Sequence, residues 1–137
     1  MDRAPASSGI RYLGLTVSDA ALSADWYIRV LGFRLVKEIV LQDGWLSQVQ
    51  VNHHDSDTTI GLIHHRGPAP ERFDEHRAGL DHVEINVPTR EDLLAWAARL
   101  DAEGVPHSGV TDARSAQMVT FRDPDNIQLE LYWRKNG

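Results

Sequence analysis

One pattern of this chain is written twice, seventy positions apart, and it limits the possible folds more than any other feature. Gly79 to Val87 reads Gly-Leu-Asp-His-Val-Glu-Ile-Asn-Val. Val83, Ile85 and Val87 alternate there with His82, Glu84 and Asn86, the period of a strand with one apolar face. Leu13, Leu15 and Val17 hold the matching places in Tyr12-Leu13-Gly14-Leu15-Thr16-Val17, and Trp26 matches Trp96 in the helix that follows. A chain that repeats a strand and its helix is built from two copies of one unit.

The remaining elements follow the same order in each copy. A strand over Ile10–Val17 leads to a helix over Ala20–Leu31, with Ser18 or Asp19 as its cap, a stripe of Leu22, Trp26 and Val30, and Gly32 as its stop. Strands over Phe33–Leu41 and Trp45–Val51 flank the hairpin signal Gln42-Asp43-Gly44. Asn52–Asp57 reads as a polar turn and Thr58–His65 as a fourth strand. In the second copy Leu80–Val87 leads to a helix over Arg90–Glu103, capped by Thr89, burying Leu93, Ala97 and Leu100, and closed by Gly104. Strands near His107–Val110, over Ser115–Arg122 and over Ile127–Trp133 complete it. Asp123-Pro124-Asp125-Asn126 is the last turn, with Asn126 suited to a left-handed backbone.

The fold class expected is α+β: two βαβββ modules forming a curved mixed sheet or half-barrel with a cleft. Module 1 covers about 10–65 and module 2 about 79–134 of one domain over 1–137. Residues 66–78, with two prolines and the charged run Glu71–Arg77, form a linker or lid. One four-stranded sheet cannot cover both of its own faces, so the halves are expected to share a sheet surface or to pair in a dimer.

Composition narrows the partners. Fourteen basic against twenty acidic side chains give a net charge of −6 over 137 residues, which opposes nucleic acid and anionic membranes. No apolar run approaches the ~20 residues of a membrane span. The residues before Ile10 lack the apolar stretch of a secretory signal and read as a short frayed lead-in. With no cysteine there is no disulfide, no thiolate metal site and no cysteine nucleophile, and cytoplasmic residence fits. A small-molecule ligand is the expected partner.

Alternation assigns the faces. The first strand turns Tyr12, Gly14 and Thr16 away from its apolar side, and the fourth turns Thr59, Gly61, Ile63 and His65. The fifth turns His82, Glu84 and Asn86, and the eighth Gln128, Glu130 and Tyr132. If each sheet curls, His82 and Glu130 point into one space. His64–His65 and His53–His54 look like metal pairs, but neighbours in a strand face opposite ways and His53–His54 belong to a turn. Neither pair is expected to chelate. Trp26 and Trp96 are expected in cores, Trp45 and Phe121 as aromatic walls.

Four motifs carry a resemblance: Leu15-Thr16-Val17-Ser18-Asp19; Trp26-Tyr27 with Leu31-Gly32-Phe33; Gly79-Leu80-Asp81-His82-Val83; and Phe121-Arg122-Asp123-Pro124-Asp125-Asn126-Ile127-Gln128-Leu129-Glu130-Leu131. With these the chain resembles the vicinal oxygen chelate superfamily of glyoxalases, bleomycin- and fosfomycin-resistance proteins and extradiol dioxygenases. The resemblance implies a glyoxalase-like fold, a homodimer, and one divalent ion (Fe, Mn, Ni or Zn) held on the first, fourth, fifth and eighth strands. His82 and Glu130 match two ligand positions. Tyr12 stands where metal-dependent members usually carry a histidine, and Gly61 where glyoxalases usually carry a carboxylate or amide. A phenol ligates only when ionised, against an ordinary pKa of ~10. His65 or Glu84 could complete the set, although His65 lies ~13 Å along the strand from Gly61 at ~3.3 Å per residue.

Two functions stay open on these residues. One is a metal-dependent lyase, isomerase or extradiol-type dioxygenase, with His82 and Glu130 as ligands and Glu84 as the catalytic base. The other is a metal-free drug- or metabolite-binding protein that sequesters its ligand beside Tyr12, Gly61, Ile63 and His65.

Overall fold

A computed structural model describes residues 3–135, so the first two residues of the expected lead-in lie outside the described residues. The elements run β1 (Tyr12–Thr16), α1 (Ala20–Leu31), β2 (Arg34–Val40), β3 (Leu46–Asn52), β4 (Thr59–Ile63), β5 (Val83–Asn86), α2 (Arg90–Ala102), β6 (Thr111–Asp112), β7 (Ala116–Arg122) and β8 (Gln128–Arg134). They form two open four-stranded sheets, ordered β1-β4-β3-β2 and β5-β8-β7-β6. In each, the first and last strands of the module pair in parallel and the others are antiparallel. The chain divides into compact units 1–70 and 71–137. The duplication is therefore a duplication of topology, strand for strand.

Each unit has its core on the helix side of its sheet. In the first, Leu15, Val17, Val49, Val51, Ile60 and Leu62 are buried with Ala24, Tyr27, Val30 and Leu31 of α1. In the second, Val119, Phe121, Leu129 and Leu131 are buried with Leu93 and Leu100 of α2. Asp19 accepts from the Leu22 amide as the cap of α1, and Gly32 closes it at φ 73. Thr89 caps α2 through the Asp92 amide.

Three expectations need correction. Leu22 is 56% exposed, not buried. The inward stripe of α1 runs through Ala20, Ser23, Ala24, Tyr27 and Val30, rotated by one residue, so Tyr27 takes the place expected for Trp26. Trp26 is half-buried, edge-on to Tyr27 at 5.1 Å. The sixth strand sits at Thr111–Asp112, and within 107–110 only a single antiparallel bridge, His107 to Phe121, pairs with β7. There the Gly109 amide donates to His107 Nδ1 (2.9 Å) while His107 Nε2 meets Asp101 (2.7 Å).

Residues 71–78 are fastened to the second unit. The Phe73 amide donates to the Asp125 carbonyl (3.1 Å), Asn126 Nδ2 to the Phe73 carbonyl (2.9 Å), and both terminal nitrogens of Arg122 to Glu75 (2.9 and 3.0 Å). The turn they grip is shaped by Asp123, whose Oδ1 accepts from the amides of Asp125 and Ile127, and by Asn126 at φ 70.

The Arg122 hydrogen bonds lower the Glu75 carboxyl from 4.5 to about 2. A carboxyl depressed in the folded state stabilises above its unfolded value, and that contribution goes as pH falls through about 2. Side-chain NMR should therefore find Glu75 ionised and residues 71–78 still docked at pH 3.5. Release of this stretch near pH 4.5 would contradict it. Within α1, the Ser23 hydroxyl is fully buried without a partner, so Ser23→Ala should leave stability unchanged or raise it by about 1 kcal/mol. Asp19→Ala should lower it by about 1 kcal/mol. Urea unfolding measures both.

Candidate metal centre

The parallel pairing of β5 with β8 sets Glu84 opposite Glu130. His82 precedes β5 by one residue and lies at the same end of the strand pair. One donor atom each from His82, Glu84 and Glu130 lies within 4.8 Å of the other two. His82 Nε2 is 3.0 Å from Glu84 Oε1, and His82 Nδ1 is 2.7 Å from Asp81 Oδ1. Thr120, opposite Glu130 on β7, donates its hydroxyl to Glu130 Oε2 at 3.4 Å.

These groups perturb one another in a consistent sense. Hydrogen bonds to Glu84 first and Asp81 second raise the His82 imidazole above its ordinary value. Desolvation, then the Glu84 charge, raise the Glu130 carboxyl. Two carboxyl groups face each other across a strand pair, with the His82 imidazole beside them. One nitrogen and two carboxylate donors converging in this way suit a divalent ion such as Fe(II), Mn(II), Ni(II) or Zn(II), whose charge would offset both the desolvation and the Glu84 charge that raise Glu130. The donor set fits the metal.

The first unit places different chemistry at the same positions. Its register sets Gly14 opposite Gly61, the counterparts of Glu84 and Glu130, while Tyr12 is the counterpart of His82. The Tyr12 ring lies over this pair of glycines. A Cβ built on Gly61 would collide with the Tyr12 hydroxyl and stand 2.6 Å from Gln48 Nε2, and one on Gly14 would stand 3.3 Å from Tyr12 Cε1 and 3.1 Å from Ile63 Cδ1. Gln48 donates its amide to the Tyr12 hydroxyl. So Tyr12, Gly61 and Ile63 are gathered on one face, as expected, but the phenol fills the space where carboxylates would project. His65 is exposed, two residues beyond the end of β4.

Gln48 and Thr120 were not singled out by sequence, and Gly14 and Asp81 were placed on a face or in a motif without a role. The repeat itself carried the signal for Gly14, as the position seventy before Glu84. Nothing in the strand pattern marked Gln48. The turn pair His53–His54 stacks, with ring centroids 4.4 Å apart and planes 26° apart, beside Asp55. Near-parallel imidazoles cannot both aim in-plane lone pairs at one ion, so they do not chelate together. His64 lies against Trp45 at 4.7 Å, with Arg66 over the indole at 4.9 Å. Phe121, expected as a wall, is core.

Because Tyr12 occupies the Cβ space of Gly61, Gly61→Ala should cost about 1–3 kcal/mol. In a Tyr12→Ala background the same change should cost at least ~1 kcal/mol less. Equal costs in the two backgrounds, by urea unfolding, would remove the contact from the account.

Comparison with known proteins agrees with this geometry. The sequence model of the Glyoxalase/Bleomycin resistance protein/Dioxygenase superfamily matches residues 9–131. MhqA of Bacillus subtilis, whose name proposes a ring-cleaving dioxygenase, is 27% identical over 132 residues, 95% of this chain. The chain spans 42% of the length of MhqA. The glyoxylase/bleomycin resistance protein/dioxygenase domain from Frankia sp. EAN1pec superposes with a TM-score of 0.85 at 28% identity, covering 96% of each chain. TnmS3, an antibiotic-binding protein from Streptomyces sp. CB03234, shares the fold at a TM-score of 0.74 and 23% identity, covering 96% of this chain and all of its own. With a family match over residues 9–131 and two βαβββ modules, the chain belongs to the Glyoxalase/Bleomycin resistance protein/Dioxygenase superfamily.

Proposed function

We propose that the chain is a divalent-metal-dependent enzyme acting on a small oxygen-bearing molecule, a lyase, isomerase or extradiol-type dioxygenase. The observation that carries this is the convergence of His82, Glu84 and Glu130 within 4.8 Å. His82 and Glu130 would hold the ion. Bound there, a divalent cation supplies Lewis-acid stabilisation to developing negative charge on substrate oxygen.

The chain's own groups divide the remaining work. Glu130 is the drier carboxylate, and its elevated proton affinity reflects a charge that water does not fully solvate. Glu84 is 46% exposed, more open to solvent than Glu130, so it is the carboxylate placed to take a proton from a bound substrate. Thr120 steadies Glu130 through its hydroxyl. On the first unit, Tyr12 and Ile63 offer an aromatic and apolar surface to an organic ligand, with Gly61 and His65 at its edge. Cytoplasmic residence, which a cysteine-free sequence fits, and a homodimeric state belong to the same reading.

A second reading rests on a different observation. Tyr12 over Gly14 and Gly61 leaves the first unit without a ligating side chain at the repeated positions, as suits a protein that binds its ligand without metal. TnmS3 is by name an antibiotic-binding protein of this fold.

Calorimetric titration of the chelated protein with Fe(II), Mn(II), Ni(II) or Zn(II) separates the two. One equivalent should bind, and His82→Ala and Glu130→Ala should each abolish binding. At a hundred times its dissociation constant the ion should stabilise the fold by about 2.7 kcal/mol, and chelation should reverse that. No uptake of any of the four ions by the wild type would leave the metal-free reading.

A further inference from the structure

Four residues outside the donor set form an unbroken hydrogen-bonded chain that ends on His82. Asp81 Oδ1 faces His82 Nδ1 at 2.7 Å. Gln128 Nε2 donates to the Asp81 carbonyl (3.2 Å) and to its Oδ1 (3.4 Å). Arg122 Nη2 donates to Gln128 Oε1 (3.3 Å), and Arg122 Nη1 to the Asn126 carbonyl (3.2 Å). Both oxygens of Glu75 hold the Arg122 fork, at 2.9 and 3.0 Å.

Each link has a direction. Arginine only donates, so it turns the acceptor end of the Gln128 amide towards itself and the donor end towards Asp81. An ionised Asp81 only accepts, so the ring nitrogen facing it carries a hydrogen. Nε2 is then the ring atom left for an ion, and it is the one aimed at Glu84. An outer carboxylate holding the far nitrogen of a metal-binding histidine sets the ring's tautomer and orientation. Asp81 is 69% exposed, and by itself it would be free to turn into solvent. The Gln128 amide, clamped through Arg122 to residues 71–78, opposes that motion.

We propose that Asp81 and Gln128 are positioning residues: they keep the Nδ1 hydrogen of His82 on Asp81 and its Nε2 towards Glu84 and Glu130, with Arg122 and Glu75 anchoring Gln128. The effect on metal affinity rests on the metal-dependent reading above, whereas the ring geometry does not.

A double-mutant cycle in the full chain tests it, read by Zn(II) calorimetry and, without metal, by proton NMR of the His82 ring. Asp81→Ala should weaken Zn(II) binding by about 10–100-fold. Asp81→Asn, which keeps an acceptor oxygen, should recover part of that loss. Gln128→Ala should weaken binding by a smaller factor in the wild type and add nothing in the Asp81→Ala background. In the metal-free chain Gln128→Ala should weaken the His82 Nδ1 hydrogen signal through faster exchange while the backbone spectrum stays unchanged. Equal losses from Gln128→Ala in both backgrounds, or a ring signal indifferent to it, would overturn the proposal. If the wild type binds no Zn(II) but the ring signal responds, the metal-dependent reading falls and the positioning role stands.

Discussion

The parallel register of β5 on β8 is the constraint on which the site depends. It places Glu84 and Glu130 directly opposite each other, and like charges at that spacing are unfavourable in a strand pair. That repulsion is eased by a shared proton or by a positive group beside them. The nearest such group in the chain is the His82 imidazole, held 3.0 Å from Glu84 and raised in proton affinity by that contact. A divalent cation is the counter-charge that would suit the donors of this site under the proposed function.

Duplication makes the first unit an internal control. The same topology and register place Tyr12, Gly14 and Gly61 where the second unit has His82, Glu84 and Glu130. Both carboxylates are gone, and with them the need for a counter-charge. The vacated volume is filled by one aromatic ring capped by the Gln48 amide. Backbone and chemistry are therefore separable in this fold: the strands repeat, while one face changes from ionic to aromatic.

Much of this was legible from the residues. Alternation identified Val83, Ile85, Leu129 and Leu131 as the inner face and His82, Glu84 and Glu130 as the outer one, because a strand leaves side chains only two directions. Turn chemistry located Asn126 and the caps at Asp19 and Thr89, since few residues satisfy those backbones. Helix phase was read less well. Leu22 is exposed while the small Ser23 and Ala24 are buried, so α1 turns a different face to the sheet than its large apolar residues suggest. The sixth strand is split: His107 bridges Phe121, while the regular pairing begins at Thr111, past Gly109 at φ 72. Residues 71–78 read as part of a linker or lid, and their attachment depends on Arg122, far along the chain. Long-range polar pairing of that kind leaves no local pattern.

The central claim is that the second unit holds an ion between His82 and Glu130. Anomalous diffraction from a crystal soaked in Mn(II), compared with one soaked in Zn(II), tests it most directly. The account predicts one site shared by both ions, bounded by His82 Nε2 and a Glu130 oxygen, with no ion beside Tyr12. Density only at His53–His54–Asp55, or none at His82, would contradict it.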